Sequence, residues 1–396
     1  MIERREVLDD LINFRDKNLI KVVTGIRRCG KSTLFELFQN YLMAQGVEAE
    51  QIVTVNLEDG DFRNIRTSNA LYEYVEVRLH KDKKNYVFLD EVQHVKDFQE
   101  SVDWLYVKKN VDLYITGSNA FLLSGELATL LSGRYVEIKM QPLSFKEYVS
   151  AYPDNNNLPA LYRNYLENSS FPGTLELERK KDIRTYLEGI YNTILLKDIV
   201  TRKKIADPAM LQSVVEFIFD NIGNLCSSTK IANSMTSSGR KISVPTVENY
   251  LSALIDSYIV YKVGRYDIKG KQYLETGAKY YVADIGLRYY LLGTKQTDMG
   301  HILENIVYLE LLRRGNEVFI GRIGESEVDF IAINADGESY YQVSQTVMDE
   351  QTLKRELSAL DAIKDHNPKY LLTMDYAPVT SYKGIKQLNV LEWLTN

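Results

Sequence analysis

One eight-residue segment, Gly25–Ser32 with the sequence GIRRCGKS, constrains the fold of this 396-residue chain more than any other feature. It matches G-x-x-x-x-G-K-[ST] in full, with a β-rich run before it and a helical pattern after it. The glycines let the backbone turn so that its N–H groups point at phosphate oxygens, and the following helix adds the partial positive charge of its N-terminus. The segment therefore predicts a loop that binds the phosphates of a nucleotide.

The residue types in this loop predict a nucleotide with β- and γ-phosphates, bound together with Mg²⁺. Lys31 is expected to reach the β- and γ-phosphates, and the Ser32 hydroxyl to ligate Mg²⁺. Of the two arginines, Arg27 and Arg28, we expect one to clamp phosphate and the other to be surface charge. The residues predicted to bind the nucleotide are Gly25, Ile26, Arg27, Arg28, Cys29, Gly30, Lys31, Ser32 and Thr33.

The strand-like run Tyr86–Asp90 ends in an acidic pair, Asp90 and Glu91. Asp90 lies 59 residues after Lys31. We predict that Asp90 holds the Mg²⁺ shell and that Glu91 polarises the attacking water as a general base. The alternative is that the pair only caps a helix after the strand. The two carboxylates complete the predicted site because they supply the metal ligand and the base that the loop itself lacks.

Polar residues also follow two other strand-like runs. Ser118 and Asn119 come after Leu113–Thr116, and in a parallel sheet the carboxyl ends of the strands share one edge. Either side chain would contact the γ-phosphate or the water, or the segment is an ordinary polar turn. Glu58 and Asp59 end a further run and either face the site or are solvated acids at the sheet edge. We assign Asn119 to catalysis, together with Glu91 and Lys31.

Residues 1–150 alternate strand-like and helical patterns, which predicts a parallel sheet with crossover helices. Three blocks of this segment read TGIRRCGKSTL, then FLDEVQ, then ITGSNAFLLSGELATLLSGRYVEIKMQPLSFKEY. Their order and spacing resemble the AAA-type P-loop ATPases of the group with an additional catalytic glutamate. The resemblance implies a doubly wound sheet and ATP hydrolysis.

The same resemblance implies an arginine near a subunit boundary, for which Arg134 is the match. An arginine finger neutralises charge in the transition state, and when a second copy supplies it the chain works as a homo-oligomer. The alternative is that Arg134 pairs with a local acid such as Glu126 or Glu137. We therefore add Arg134 to the predicted catalytic residues.

The middle of the chain predicts three helices and then two strands. The helices are expected at Leu211–Ile222, Ser227–Met235 and Ser243–Ile255, and the strands at Tyr258–Tyr266 and Lys279–Ala283. This order is typical of a winged helix. Residues 201–290 carry 12 Lys and Arg against 8 Asp and Glu. The winged helix is therefore predicted either to bind DNA through phosphate contacts or to dock a protein partner. The basic residues placed for such contacts are Lys230, Arg240, Lys241, Lys269 and Lys271.

The C-terminal αβββαβ pattern resembles the restriction-endonuclease-like fold. Asp329 and the helix acid Glu304 match two positions of its metal site, whereas Gln342 and Ser344 stand where those nucleases have glutamate and lysine. Because an amide is a poor ligand for a hard cation, we predict a nuclease-like fold without nuclease activity.

The chain as a whole is predicted to be an α/β protein of three domains. These are a P-loop ATPase domain at 1–150, a helical connector with a winged helix at 151–295, and a small nuclease-like domain at 296–396. The chain has only two cysteines, a charged N-terminus and no apolar run of 18 residues. These features indicate a cytoplasmic protein without a membrane partner. The predicted function is ATP hydrolysis that drives or gates contact with a macromolecule such as DNA. The alternatives are a slow nucleotide switch for a protein partner and an ATP-dependent nuclease.

Overall fold

The computed structural model describes residues 2–120, 131, 133–154, 156–294, 298–376 and 380–396. The chain divides into two compact units. The first comprises Met1–Pro142 with Asp256–Tyr258, and the second comprises Leu143–Ile255 with Ile259–Asn396. Within the described ranges, no helix has both the length and the apolar character needed to cross a membrane.

The first unit is built on a parallel sheet of five strands in the order β2-β3-β4-β1-β5. Its strands are β1 Ile20–Gly25, β2 Ile52–Asn56, β3 Asn85–Asp90, β4 Val111–Gly117 and β5 Tyr135–Met140. Its described helices of six or more residues are α1 Arg5–Phe14, α2 Lys31–Ala44, α3 Ser68–Glu76 and α4 Phe98–Tyr106. The predicted parallel α/β sheet is therefore confirmed.

The central strands of this sheet are apolar because both of their faces are covered. Every residue of β1 and of β3 is buried, as expected for parallel strands between helical layers. Along β3, Val87 and Leu89 contribute to one apolar core. Phe88 lies between them in the chain and stacks on Tyr114, with ring centroids 4.8 Å apart. Successive side chains thus fill opposite faces of the sheet.

The register of the sheet brings the ends of four strands to one edge. Thr24 pairs with Gly117, and Asn56 pairs with Asp90. Since all five strands run in the same direction, the segments after β1, β2, β3 and β4 emerge side by side. This edge therefore collects the phosphate loop, Glu58, the Asp90-Glu91 pair and Ser118.

The second unit combines helices with a mixed sheet of eight strands in the order β12-β13-β11-β10-β9-β8-β6-β7. Its described α-helices of six or more residues are α5 Phe145–Ser150, α6 Leu158–Asn168, α7 Lys180–Asn192, α8 Pro208–Asp220, α9 Ser228–Ser237, α10 Val244–Asp256, α11 Ile285–Leu292, α12 Met299–Arg313, α13 Glu350–Asp361 and α14 Val390–Thr395. The strands are β6 Val260–Asp267, β7 Gln272–Val282, β8 Glu317–Ile323, β9 Ser326–Asn334, β10 Gly337–Ser344, β11 Lys369–Thr373, β12 Thr380–Tyr382 and β13 Ile385–Asn389.

The predicted order of three helices and two strands is present as α8, α9, α10, β6 and β7. The β6–β7 hairpin also pairs with the C-terminal strands, because β6 runs parallel to β8 with Arg265 opposite Ile320. The hairpin therefore follows the three helices in the chain and is also part of the eight-stranded sheet. The winged helix and the domain boundary at residue 295 stay predictions.

Candidate nucleotide-binding site

The phosphate loop has a backbone that only glycine accommodates at two points. Gly25 has φ +152°, and a Cβ there would lie 2.0 Å from the carbonyl oxygen of Met140. Gly30 has φ +103° and immediately precedes α2. The two glycines of the motif are thus explained by close backbone approach and by a left-handed turn. Among the other loop residues Ile26 and Cys29 are buried, Thr33 is half-buried, and Arg28 and Ser32 are exposed.

Lys31 is buried and is the first residue of α2. Its side chain faces the phosphate loop. Its Nζ donates to the carbonyl oxygens of Gly25 and Ile26 at 3.2 and 3.5 Å, and to the Ser118 hydroxyl at 3.2 Å. The same ammonium lies 3.3 Å from Oε1 of Glu91. The structure therefore brings together the lysine and the acid that the sequence predicted as one site.

Asp90 lies at the end of β3 with only 3% of its surface exposed. Its carboxylate accepts a hydrogen bond from the Thr116 hydroxyl and another from Ser32. Burial raises the pKa of Asp90, against the lowering effect of these two hydroxyls. A carboxylate beside a hydroxyl offers the hard oxygen ligands that suit Mg²⁺, so the donors present fit the predicted metal.

Glu91 has an unusual backbone for a glutamate, with φ +53°. Its N–H donates to the Thr116 hydroxyl at 2.8 Å, and its carboxylate accepts from Ser118 at 2.6 Å and from Gln93. Burial alone would raise the pKa of Glu91, but the Lys31 ammonium and these side-chain hydrogen bonds lower it overall. A strained, buried and ionised acid of this kind is typical of a functional site.

The Ser118 hydroxyl makes hydrogen bonds with two of the predicted catalytic residues. The Ser118 hydroxyl lies between Lys31 and Glu91, and 3% of the residue is exposed. Asn119 is buried next to it. Its catalytic role stays a prediction, and Ser118 joins the site.

The structure separates the two loop arginines. Arg27 is 8% exposed and pairs with Glu58, whereas Arg28 is exposed with φ +68°. Nε2 of His94 lies 3.6 Å from the same Glu58 oxygen. The His94 imidazole and the Arg27 guanidinium lower the pKa of Glu58 to about 2. Of the two edge acids, Glu58 thus contacts the loop, while Asp59 caps the following turn.

Arg134 pairs with Asp103 and not with Glu137, whose Oε1 accepts from the Thr24 hydroxyl at 2.7 Å. Glu126, the other acid considered, lies outside the described residues. The Arg134 carbonyl accepts from the N–H of Ile20, the first residue of β1, so Arg134 lies at the edge opposite the loop. Arg134 therefore lies away from the phosphate loop of its own chain, and its catalytic role stays a prediction.

Four contributors to the site were not assigned a role by sequence reasoning: Thr116, Ser118 as a ligand of Glu91, Gln93 and Arg4. Arg4 is buried and donates to the carbonyl oxygens of Cys29 at 2.9 Å and Gln141 at 2.8 Å. It thereby supports the loop from the N-terminal segment. Nothing local in the sequence around Arg4 indicates this, because the contacts cross 25 and 137 residues of chain.

The C-terminal acids of the predicted nuclease-like domain do not fit a metal. The Lys279 ammonium, from β7, lies 2.8 Å from Glu304 and 2.9 Å from Glu327. The Asp329 carboxylate accepts from the N–H of Val343 at 2.8 Å. Within the described ranges, no group of three acids, histidines or cysteines is placed to hold a metal ion.

Gln342 is also committed to protein contacts. Its Oε1 accepts from the N–H of Asp329 at 3.3 Å, and its Nε2 donates to Glu356 at 2.8 Å. Lys279, which sequence reasoning assigned only to a strand, thus neutralises Glu304 and Glu327. The polar groups of this cluster satisfy one another, and the absence of nuclease activity stays a prediction.

Comparison with known proteins agrees with the site in the first unit. Residues 17–149 match a family described as an AAA domain, and residues 159–298 match a domain of unknown function. A Walker-type ATPase of Pyrococcus abyssi shares the fold with a TM-score of 0.52 and 15% identity, over 74% of this chain and 96% of that one. The fold and the site thus define a P-loop ATPase domain of the AAA type.

Two relatives extend the similarity beyond this domain. An uncharacterized protein of Haemophilus influenzae is 40% identical over 398 residues, which cover 100% of this chain and 98% of that protein. An uncharacterized protein of Methanocaldococcus jannaschii is 30% identical over 371 residues, 88% of this chain and 79% of that protein. The chain therefore belongs to the same family as these two proteins, and its own N-terminal part matches the AAA domain.

Proposed function

We propose that this protein binds ATP with Mg²⁺ at the phosphate loop and hydrolyses it to drive or gate contact with a macromolecular partner. The observation that carries the proposal is the buried group formed by Lys31, Glu91 and Ser118 beside Asp90. It combines a cation for phosphate, a metal ligand and an ionised base at one edge of the sheet. These are the parts that phosphoryl transfer to water requires.

Each residue has a defined task in the proposed reaction. Ser32 and Asp90 would hold Mg²⁺, which would supply positive charge that neutralises the phosphates. Lys31 exchanges its contacts with loop carbonyls and Glu91 for the β- and γ-phosphates. Glu91 is then free to accept a proton from water, and its lowered pKa keeps it ionised at neutral pH. Ser118 orients the Glu91 carboxylate.

The partner is proposed to bind through α8–α10 and the β6–β7 hairpin of the second unit. The local excess of 12 basic over 8 acidic residues in 201–290 supports an anionic partner such as DNA, although the whole chain carries a net charge of −6. Lys241, Lys269 and Lys271 are exposed, as phosphate contacts require. DNA is therefore the first partner to test.

The test is steady-state ATP hydrolysis by the wild type and by Lys31→Ala, with and without duplex DNA, at low and high salt. We expect hydrolysis that depends on Lys31, is stimulated by DNA, and loses the stimulation as salt rises, because phosphate contacts release counterions. Hydrolysis that needs Lys31 but ignores DNA would shift the partner to a protein. Equal phosphate release by wild type and Lys31→Ala would contradict the ATPase proposal itself.

A further inference from the structure

The pair formed by Arg27 and Glu58 is an unexpected feature of the phosphate loop. Arg27 belongs to the loop after β1, Glu58 follows β2, and His94 follows β3. The Arg27 side chain is 10% exposed and the Glu58 side chain is 32% exposed. His94 approaches the oxygen of Glu58 that Arg27 contacts. Three separate segments thus place a cation, an acid and an imidazole at the edge where nucleotide is proposed to bind.

A carboxylate at this position opposes nucleotide binding by electrostatics. Glu58 is ionised at neutral pH, since Arg27 and His94 lower its pKa to about 2. A negative charge beside a phosphate site repels polyphosphate, and it also occupies the guanidinium that would otherwise attract phosphate. A guanidinium binds carboxylate and phosphate through the same planar set of N–H donors. Glu58 and phosphate therefore compete for Arg27.

The location of Glu58 indicates which phosphate competes. The N–H of Leu57, its neighbour in the chain, donates to the carbonyl oxygen of Asp90 at 3.1 Å. Glu58 is also near enough to Glu91 to raise the pKa of that base. Arg27 is therefore held on the side of the loop where the acids lie. The terminal phosphate of ATP must lie on this side for Glu91 to activate the attacking water.

We propose that Glu58 holds Arg27 in the nucleotide-free protein and that Arg27 transfers to the terminal phosphate of ATP, so that the pair makes the site distinguish ATP from ADP. The proposal rests on the proposed function, because it assumes that the loop binds ATP. After the transfer, His94 remains beside Glu58 and continues to stabilise its charge. ADP lacks the phosphate that displaces Glu58, so the pair persists when ADP is bound.

The experiment measures binding of a non-hydrolysable ATP analogue and of ADP, each with Mg²⁺, to the full chain by calorimetry. Glu58→Gln is expected to tighten analogue binding about tenfold and to change ADP binding by less than about twofold, a coupling of ordinary size. Arg27→Ala is expected to weaken analogue binding about tenfold with little effect on ADP. The matched control is Asp59→Asn, which removes a charge from the next residue, whose carboxylate accepts from the N–H of Asp61, and which should leave the preference for the analogue unchanged.

The double variant Arg27→Ala/Glu58→Gln separates competition for Arg27 from general repulsion. If Glu58 acts by holding Arg27, Glu58→Gln produces no gain once Arg27 is absent. A gain of equal size in the double variant, or in Asp59→Asn, would overturn the proposal. Arg27→Lys provides a second variant that keeps the charge, and it should restore only part of the preference because the planar set of donors is lost. Absence of Lys31-dependent binding of either nucleotide would instead overturn the proposed function.

Discussion

Glu91 is the residue on which the chemistry of the site most depends. We predict that Glu91→Gln retains nucleotide binding but lowers kcat by about 10²–10⁴, the usual contribution of a general base. The amide still accepts a hydrogen bond from Ser118, so the surrounding contacts persist. Single-turnover hydrolysis and equilibrium binding of ATP by the same variant measure the two effects separately. An unchanged kcat would show that Glu91 is not the general base.

The pH dependence of hydrolysis provides a second prediction for the same residue. Lys31 and Ser118 outweigh burial and lower the pKa of Glu91, so its ionised form persists as pH falls below the ordinary glutamate value of 4.5. The acid limb of kcat/KM that belongs to Glu91 should therefore lie below that value, since kcat/KM reports the free enzyme. The measurement is a pH–rate profile over the range in which circular dichroism shows the protein folded. A limb above 4.5 would contradict the lowered pKa.

Among single residues, the sequence predicted those whose positions depend on a local motif or on the end of one strand. The loop glycines, Lys31 and the Asp90-Glu91 pair follow from one motif and one strand end, and the structure places them together. The contacts of Ser118 with Lys31 and Glu91 depend on the backbone of the turn after β4. The Arg27–Glu58 contact depends on strand order. Neither is encoded in local spacing.

The β6–β7 hairpin carries a residue with a structural task that its sequence position does not reveal. Lys279 neutralises Glu304 and Glu327 in the second unit, where 6% of the Lys279 side chain and 8% of the Glu304 side chain are exposed. We predict that Lys279→Met lowers the free energy of unfolding by about 3–5 kcal/mol, because it leaves buried carboxylate without a counter-ion. Urea unfolding measures the change. Lys262→Met, on the exposed side of β6, is the control and should change it by less than about 0.5 kcal/mol.

Asp329, on β9, should make stability depend on pH in a defined direction. Burial and the neighbouring charge of Glu304 raise its pKa well above the ordinary value, despite the opposing effect of Lys279. In the window between the ordinary and the raised pKa the folded state keeps a proton that the unfolded state releases, so stability falls as pH rises. Asp329→Asn should remove this loss, and its stability relative to the wild type should increase from acid to neutral pH. A constant difference in unfolding free energy would contradict the raised pKa.

The helices and strands of the second unit were easier to predict from the sequence than the pairing of its strands. Each of α8, α9, α10, β6 and β7 lies close to a predicted segment, because hydrophobic period and caps such as Ser227 are local signals. The parallel pairing of β6 with β8 joins residues more than fifty positions apart, with Arg265 opposite Ile320. Such pairing is decided by tertiary packing. This explains why sequence reasoning placed Lys279 on a strand of the predicted wing but did not identify its contacts with Glu304 and Glu327.

The placement of Arg134 links the site to assembly of the whole molecule. Register pairs Ile20 with Tyr135 and Gly25 with Met140, so Arg134 and the phosphate loop lie at opposite ends of β1. At roughly 3.3 Å per residue, the strand separates them by about 17 Å, which is farther than one side chain spans. If Arg134 acts as an arginine finger, it therefore acts on the site of a second copy.

Mixing two inactive variants tests this arrangement. Lys31→Ala has a disabled loop and an intact Arg134, whereas Arg134→Ala has an intact loop and no finger. We predict that each variant alone loses hydrolysis and that the mixture regains activity above the sum of the two, with a loss for Arg134→Ala of about 10³-fold. Asp103→Asn, which releases Arg134 from its partner on α4, is the control for the ion pair and should not abolish hydrolysis. A mixture no more active than its parts, with a rate that rises linearly with protein concentration, would show that Arg134 serves only to pair with Asp103.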